Sequence, residues 1–177
     1  MLDNYSITAN FEVAAPPSNA TLIGNMTFPG TAGPRWAGRV MTVRFYDPAT
    51  KNETAWSPLN GTTDDSGNFT VDNVTPGTWD VIVKNCSALS QLNESRTFTA
   101  GETTGADFGG SREGDCDSSD TVAIADRILL YNGWGKETDQ PGYNVCCDLD
   151  RSGTLAMGDR IIMYANWGQS GDLQGYK

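Results

Sequence analysis

Two stretches of the C-terminal third carry oxygen-bearing residues at a spacing that suits one hard cation each. Asp115, Asp117, Ser119, Thr121 and Asp126 stand at positions 1, 3, 5, 7 and 12 of one twelve-residue segment, and Asp148, Asp150, Ser152, Thr154 and Asp159 repeat the pattern in a second. A cation such as calcium takes six to eight oxygen ligands, and a loop of this length supplies them from those positions, the seventh through its backbone carbonyl. Position 6, where such a loop turns sharply, is Gly153 in the second segment and Asp120 in the first. Aspartate tolerates the left-handed conformation better than most residues, so both loops are expected to close. Ala123 and Ala156 at position 9 offer no side-chain ligand. A lone string of this type is usually a solvated turn. The duplication argues for metal, and two calcium ions are the expected cofactors.

The loops need flanking elements to hold them in place. Sliding the C-terminal half against itself by 33 residues makes 11 of the 21 positions from Asp115 to Gly135 identical, including Arg127 with Arg160, Tyr131 with Tyr164 and Trp134 with Trp167. Helix formers from Asp126 to Trp134 and from Asp159 to Trp167 predict one exiting helix per loop, with Gly135 and Gly168 as stops. Gly109-Gly110-Ser111 and Gln140-Pro141-Gly142 precede the loops, so the entering helix of a full EF-hand is missing. Over residues 114–169 this EF-hand-related, duplicated loop-helix unit resembles a dockerin type I-like module. The resemblance implies a module that folds on calcium and binds a cohesin-like protein. At the partner-recognition pair before the last ligand, Ile124-Ala125 and Met157-Gly158 replace the hydroxyl-bearing residues common in cellulosomal members, and Arg127 and Arg160 stand where an apolar residue is frequent.

Ahead of the repeat, short alternating runs read as strands. Leu22, Met26 and Phe28 share one face, as do Met41, Val43 and Phe45, and Trp79, Val81 and Val83. The stretch Thr63–Val71, with its Asp-x-x-Gly turn, and Thr75–Val83, with Pro76-Gly77, resemble the carboxypeptidase regulatory-like family, a prealbumin-like β-sandwich. The expected fold is therefore mainly β with a small α module: an N-terminal antiparallel β-sandwich over 18–110 and a calcium loop-helix domain over 111–177. Residues 1–17 form a third segment, in which Tyr5, Ile7, Phe11 and Val13 line one face of an expected strand before Pro16-Pro17 acts as a stiff spacer. That strand either completes its own sandwich or adds to the open edge of an identical subunit.

Composition narrows the function. The net charge is −10, and the excess of acids is the same on both sides of residue 110, which argues against a nucleic-acid partner. The chain has no histidine, which excludes His-based triads and most zinc hydrolase sites, and Asp64-Asp65 fall in a predicted turn, so no enzyme activity is expected. Trp36 and Trp56 are the residues a sugar-binding role would use, with core packing as the ordinary alternative. No apolar run is long enough to span a bilayer, and no secretion signal is apparent at residues 1–13.

Export is argued from sequons. Asn4, Asn19, Asn25, Asn52, Asn60, Asn68, Asn73, Asn85 and Asn93 begin Asn-x-Ser/Thr triplets, and Asn10 is the one asparagine before residue 110 that does not. Chance would give about two at this Ser/Thr content. A glycosylated, extracellular or cell-surface protein is expected, in which Cys86, Cys116, Cys146 and Cys147 are free to pair in any of three ways. These features favour a non-catalytic calcium-binding assembly protein, a subunit of a surface layer or fibre. Docking onto a cohesin partner is the alternative and sugar binding the second.

Overall fold

The computed structural model describes residues 18–31 and 35–177. The expected strand of Tyr5, Ile7, Phe11 and Val13, with the sequon at Asn4, lies outside the described residues. Seven strands precede two helices: β1 (Ala20–Thr27), β2 (Val40–Tyr46), β3 (Leu59–Thr62), β4 (Asn68–Val74), β5 (Gly77–Lys84), β6 (Gln91–Phe98), β7 (Thr103–Gly110), α1 (Ile124–Asn132) and α2 (Met157–Ala165). The fold is mainly β, as the alternating runs imply.

Two sheets face each other, one ordered β4-β1-β7 and the other β3-β2-β5-β6. Alternation sends one side of each strand inward. Leu22, Met26 and Phe28 meet Met41, Val43, Phe45, Val81 and Val83 in a single core, with Phe69, Phe98 and Phe108 filling its width. Trp36, Trp56 and Trp79 pack against this core from its margin. The Trp36 Nε1 donates to the Thr31 carbonyl at 2.8 Å and the Trp56 ring lies 4.7 Å from Phe45. Both tryptophans thus serve the sandwich.

The sandwich is not antiparallel throughout. β1 pairs antiparallel with β4 but parallel with β7, Leu22 opposite Thr104 and Gly24 opposite Ala106. The chain reaches β7 from β6, which belongs to the other sheet, so β7 arrives beside β1 with no hairpin between them. Direction in that pair is set by the crossing, which alternation within a strand does not encode.

Residues 111–170 build a second, smaller core from Val122, Leu130, Leu149, Leu155 and Met163. The two repeats interlock there. Val122, at position 8 of the first loop, exchanges backbone bonds with Gly168 and Gln169 beyond α2, while Leu155 does the same with Gly135 and Lys136 beyond α1. Each helix begins two residues before the expected aspartate, because that aspartate sits at the third helical position and accepts from the backbone N–H ahead of the helix: Ala123 to Asp126 at 2.7 Å, Ala156 to Asp159 at 2.8 Å. The final residues leave this core and return to the sandwich. Leu173 N donates to Ser90 Oγ, Leu92 N donates to Asp172, and the Tyr176 ring packs on Tyr46.

Candidate functional site

In each loop the ligand positions converge. Asp115, Asp117 and Asp126 bring carboxylate oxygens within 4.8 Å of one another, and Asp148, Asp150 and Asp159 do the same. Ser119 Oγ lies 3.2 Å from the Thr121 carbonyl oxygen and Ser152 Oγ 3.1 Å from that of Thr154, so the fifth and seventh positions face one centre. Asp120 and Gly153 turn the chain at φ 67° and 85°. The three carboxylates of each loop are thus brought together, and the serine hydroxyl and threonine carbonyl of each loop are brought to each other.

These carboxylates are costly as they stand. Asp115, Asp126 and Asp159 are fully buried and Asp148 nearly so. Burial raises the carboxyl pKa of Asp115, Asp126 and Asp159 above the usual range, although neighbouring donors pull each back. Three like charges in a few ångströms of low-dielectric space repel unless a cation or protons intervene. An all-oxygen donor set of carboxylate, hydroxyl and carbonyl suits a hard divalent ion, and the chain has no histidine with which to favour a softer one. The residues present fit such an ion.

Backbone donors hold the carboxylates in position. Asp126 accepts from Asp117 N, and Asp159 from Leu149 N and Asp150 N. Asp115 Oδ2 accepts from the position-6 amide, Asp120 N, at 2.9 Å, and Asp148 Oδ2 from Gly153 N at 3.0 Å. There the two loops diverge. Asp148 also accepts from Ser152 N at 3.0 Å and from the Tyr143 hydroxyl at 2.6 Å, and burial together with the latter bond pushes that phenol up to about 12. Asp115 instead meets the ammonium of Lys84, from the end of β5 in the sandwich.

Both loops are seated on the sandwich through contacts that spacing alone did not reveal. Arg39 and Glu113 form a buried pair at 3.2 Å, each side chain 1% exposed. Glu113 also accepts from Ser87 Oγ and Ser111 Oγ, and the Arg39 guanidinium lies 4.0 Å over the Phe28 ring and donates to Thr31 Oγ1. Thr31 in turn donates to the Leu149 carbonyl of loop two, and Ser90 donates to Asp120 of loop one. Leu89, just before β6, is inserted in the repeat's own core. Cys86 and Cys146 join the two halves covalently. Cys116 and Cys147 are buried thiols in contact with each other, a contact that with burial raises the Cys116 pKa.

The opposite side of the repeat is open. Ile124, Ile128, Tyr131 and Trp134 are exposed along α1 and its end, and Met157, Ile161, Tyr164 and Trp167 are their exposed counterparts on α2. Tyr131 and Trp134 lie 5.2 Å apart, as do Tyr164 and Trp167, and Arg127 reaches across to the Tyr164 hydroxyl at 3.4 Å. Eight large apolar or aromatic side chains left in water on one small unit are more than scattered exposure explains.

This fold has relatives among solved structures. The chain matches, over 86% of its own length and 98% of the other chain, a chain of an N-terminal interface mutant of a type II Cohesin-X-Dockerin complex from Acetivibrio cellulolyticus, with 20% identity and a TM-score of 0.60. A C-terminal interface mutant of that complex gives the same shares, 19% identity and a TM-score of 0.61. At this identity the likeness is one of fold. The matched share exceeds residues 1–110, so it runs past the sandwich into the loop-helix repeat. No family model matches the chain, and no curated protein matches it.

The sequons separate by environment. Asn19, Asn52, Asn60 and Asn73 are exposed, and Asn25, Asn68 and Asn93 are half-buried. Asn85 needs correction as a sugar site: it is 5% exposed, its Oδ1 accepts from Ser87 N and Ala88 N, and its Nδ2 is enclosed at the junction. Among the described residues no helix is long and apolar enough to cross a membrane.

Proposed function

We propose that this chain is a non-catalytic, extracellular calcium-binding assembly module that docks onto a cohesin-like protein through the outward faces of α1 and α2. The observation that carries the reading is the pairing of two convergent carboxylate triads with the duplicated apolar stripe on the helices they cap. Calcium, held by Asp115, Asp117, Ser119, Thr121 and Asp126 and by Asp148, Asp150, Ser152, Thr154 and Asp159, would neutralise the loops and fix the starts of both helices. The stripe then becomes a rigid surface. Burying such side chains against a partner contributes roughly 25 cal/mol per Å² of apolar area before the costs of association. Support for the partner class comes from the fold shared with a chain of a Cohesin-X-Dockerin complex.

This reading reverses the order suggested by the sequence, where self-assembly into a layer or fibre stood first. The open helix faces favour docking, whereas strand donation rests on Tyr5, Ile7, Phe11 and Val13, outside the described residues. Sedimentation of the calcium-loaded chain, alone and with a type II cohesin, separates the two. A monomer that forms a one-to-one complex, lost on Ile128→Asp/Ile161→Asp, supports docking. Calcium-dependent polymers of the chain alone would return self-assembly to first place.

A further inference from the structure

The two loops differ in one ion pair, which reaches loop one from outside the repeat; among the described residues loop two receives the Arg35 guanidinium on its Asp150 carbonyl at 3.2 Å but no cation on its carboxylates. Lys84 Nζ bonds to Asp115 Oδ2, stands 3.3 Å from Asp120 Oδ1 and donates to the Ala88 carbonyl at 2.7 Å. Its side chain is 16% exposed. Asp120 is held in this cluster by Ser90, whose N–H and Oγ–H both donate to it at 2.7 Å. Loop two has a neutral hydroxyl, that of Tyr143, where loop one has this ammonium. Arg151 lies in loop two, yet it is absent from the ion pairs formed among the described residues, as are Asp148, Asp150 and Asp159.

We infer that Lys84 acts as a resident counter-ion of loop one: it holds Asp115 in its ligand geometry without metal and lowers the loop's affinity for calcium. Lys84 is a positioning residue here, and its role rests on the proposal that the loops take calcium. The physical reason is competition for one carboxylate. Without metal the ammonium faces the full charge of Asp115, while with a divalent cation held by the same carboxylate it would face that cation as well. Whatever stabilises the metal-free state more than the loaded one weakens binding. Coulomb's law for charges of +1 and +2 about 6 Å apart in a water-like medium corresponds to about tenfold in affinity. A second consequence is mechanical. The sandwich supplies part of loop one's metal-free structure, so loop one stays seated on β5 when calcium is withdrawn.

The position-6 amides report each loop separately, since Asp120 N–H and Gly153 N–H each donate to the first ligand of their own loop. Amide NMR on the full chain, with chelator and through a calcium titration, reads both. In chelator the Asp120 amide is expected to exchange with solvent at least tenfold more slowly than Gly153. In Lys84→Met that protection should vanish and the calcium midpoint read at Asp120 should fall about tenfold, with Gly153 little changed. Lys84→Arg should restore wild-type behaviour. Equal protection of the two amides in the wild-type chain overturns the inference without any variant, and so does an unchanged or weaker midpoint in a folded Lys84→Met. If calcium moves neither amide, the calcium reading itself fails and the inference with it.

Discussion

Removing Glu113 should damage the chain out of proportion to its size, because it strands a buried cation. Arg39 is 2% exposed, lies over the Phe28 ring, and burial lowers its pKa against the pull of Glu113. In Glu113→Ala the guanidinium keeps Thr31 Oγ1 as a neutral partner but loses its counter-charge, and Ser87 Oγ and Ser111 Oγ lose their acceptor. Breaking a buried pair from one side costs about 3–5 kcal/mol, whereas replacing both members by apolar residues of similar volume is often neutral. The expected loss for Glu113→Ala is therefore about 4 kcal/mol, or roughly 10 °C in Tm for a chain of this length. Arg39→Met/Glu113→Leu should recover most of it. Urea unfolding followed by tryptophan fluorescence, at saturating calcium, measures both. A loss below about 1 kcal/mol in Glu113→Ala, or a double variant as unstable as the sum of the singles, would refute this account of the junction.

Calcium should raise the melting temperature of the full chain, by about 4 kcal/mol of stabilisation at a thousandfold excess over Kd. Asp159→Ala should weaken binding at both loops, since Leu155 bonds to Gly135 and Lys136 of the first repeat and Val122 to Gly168 and Gln169 of the second; a titration showing loop one untouched would contradict that coupling. Ile161→Asp, at a side chain 66% exposed, should leave stability within about 0.5 kcal/mol while abolishing partner binding. Unaltered binding would remove the α2 face from the interface. At Asp80, burial is outweighed by bonds from Lys51, Ser95 N and Tyr176, which hold the carboxyl below the ordinary range. The depressed folded value means that the anchoring of Tyr176 is fully present above about pH 4 and fades as pH falls through that lower value. Release of the Tyr176 ring between pH 7 and 5, read by NMR, would go against this sign.

Local pattern made much of the molecule legible. Alternation placed Leu22, Met26, Phe28, Met41, Val43 and Phe45 in the core, and the 33-residue repeat picked out the carboxylates that converge, because those residues lie within one loop each. What escaped was whatever depends on distant parts of the chain. Lys84, Arg39, Glu113 and Leu89 look like ordinary members of their own segments, and only the meeting of the two halves gives them a role. The parallel pairing of β1 with β7 belongs to the same class. Asp120 was legible as a turn residue by its left-handed conformation, but its side chain's bond to Ser90 was not. Asn85 shows the reverse error, a sequon whose buried setting no triplet can announce.

The Cys86–Cys146 bond spans 60 residues of chain and encloses β6, β7, the first loop and α1, while the second loop and α2 stay outside the ring. A closure of that length removes about 4 kcal/mol worth of chain entropy from the unfolded ensemble. If the second loop and α2 loosen, their root at Cys146 still cannot diffuse away from the end of β5. Re-docking of that half would then be an encounter at fixed high local concentration, independent of how dilute the protein is, as for a tethered ligand.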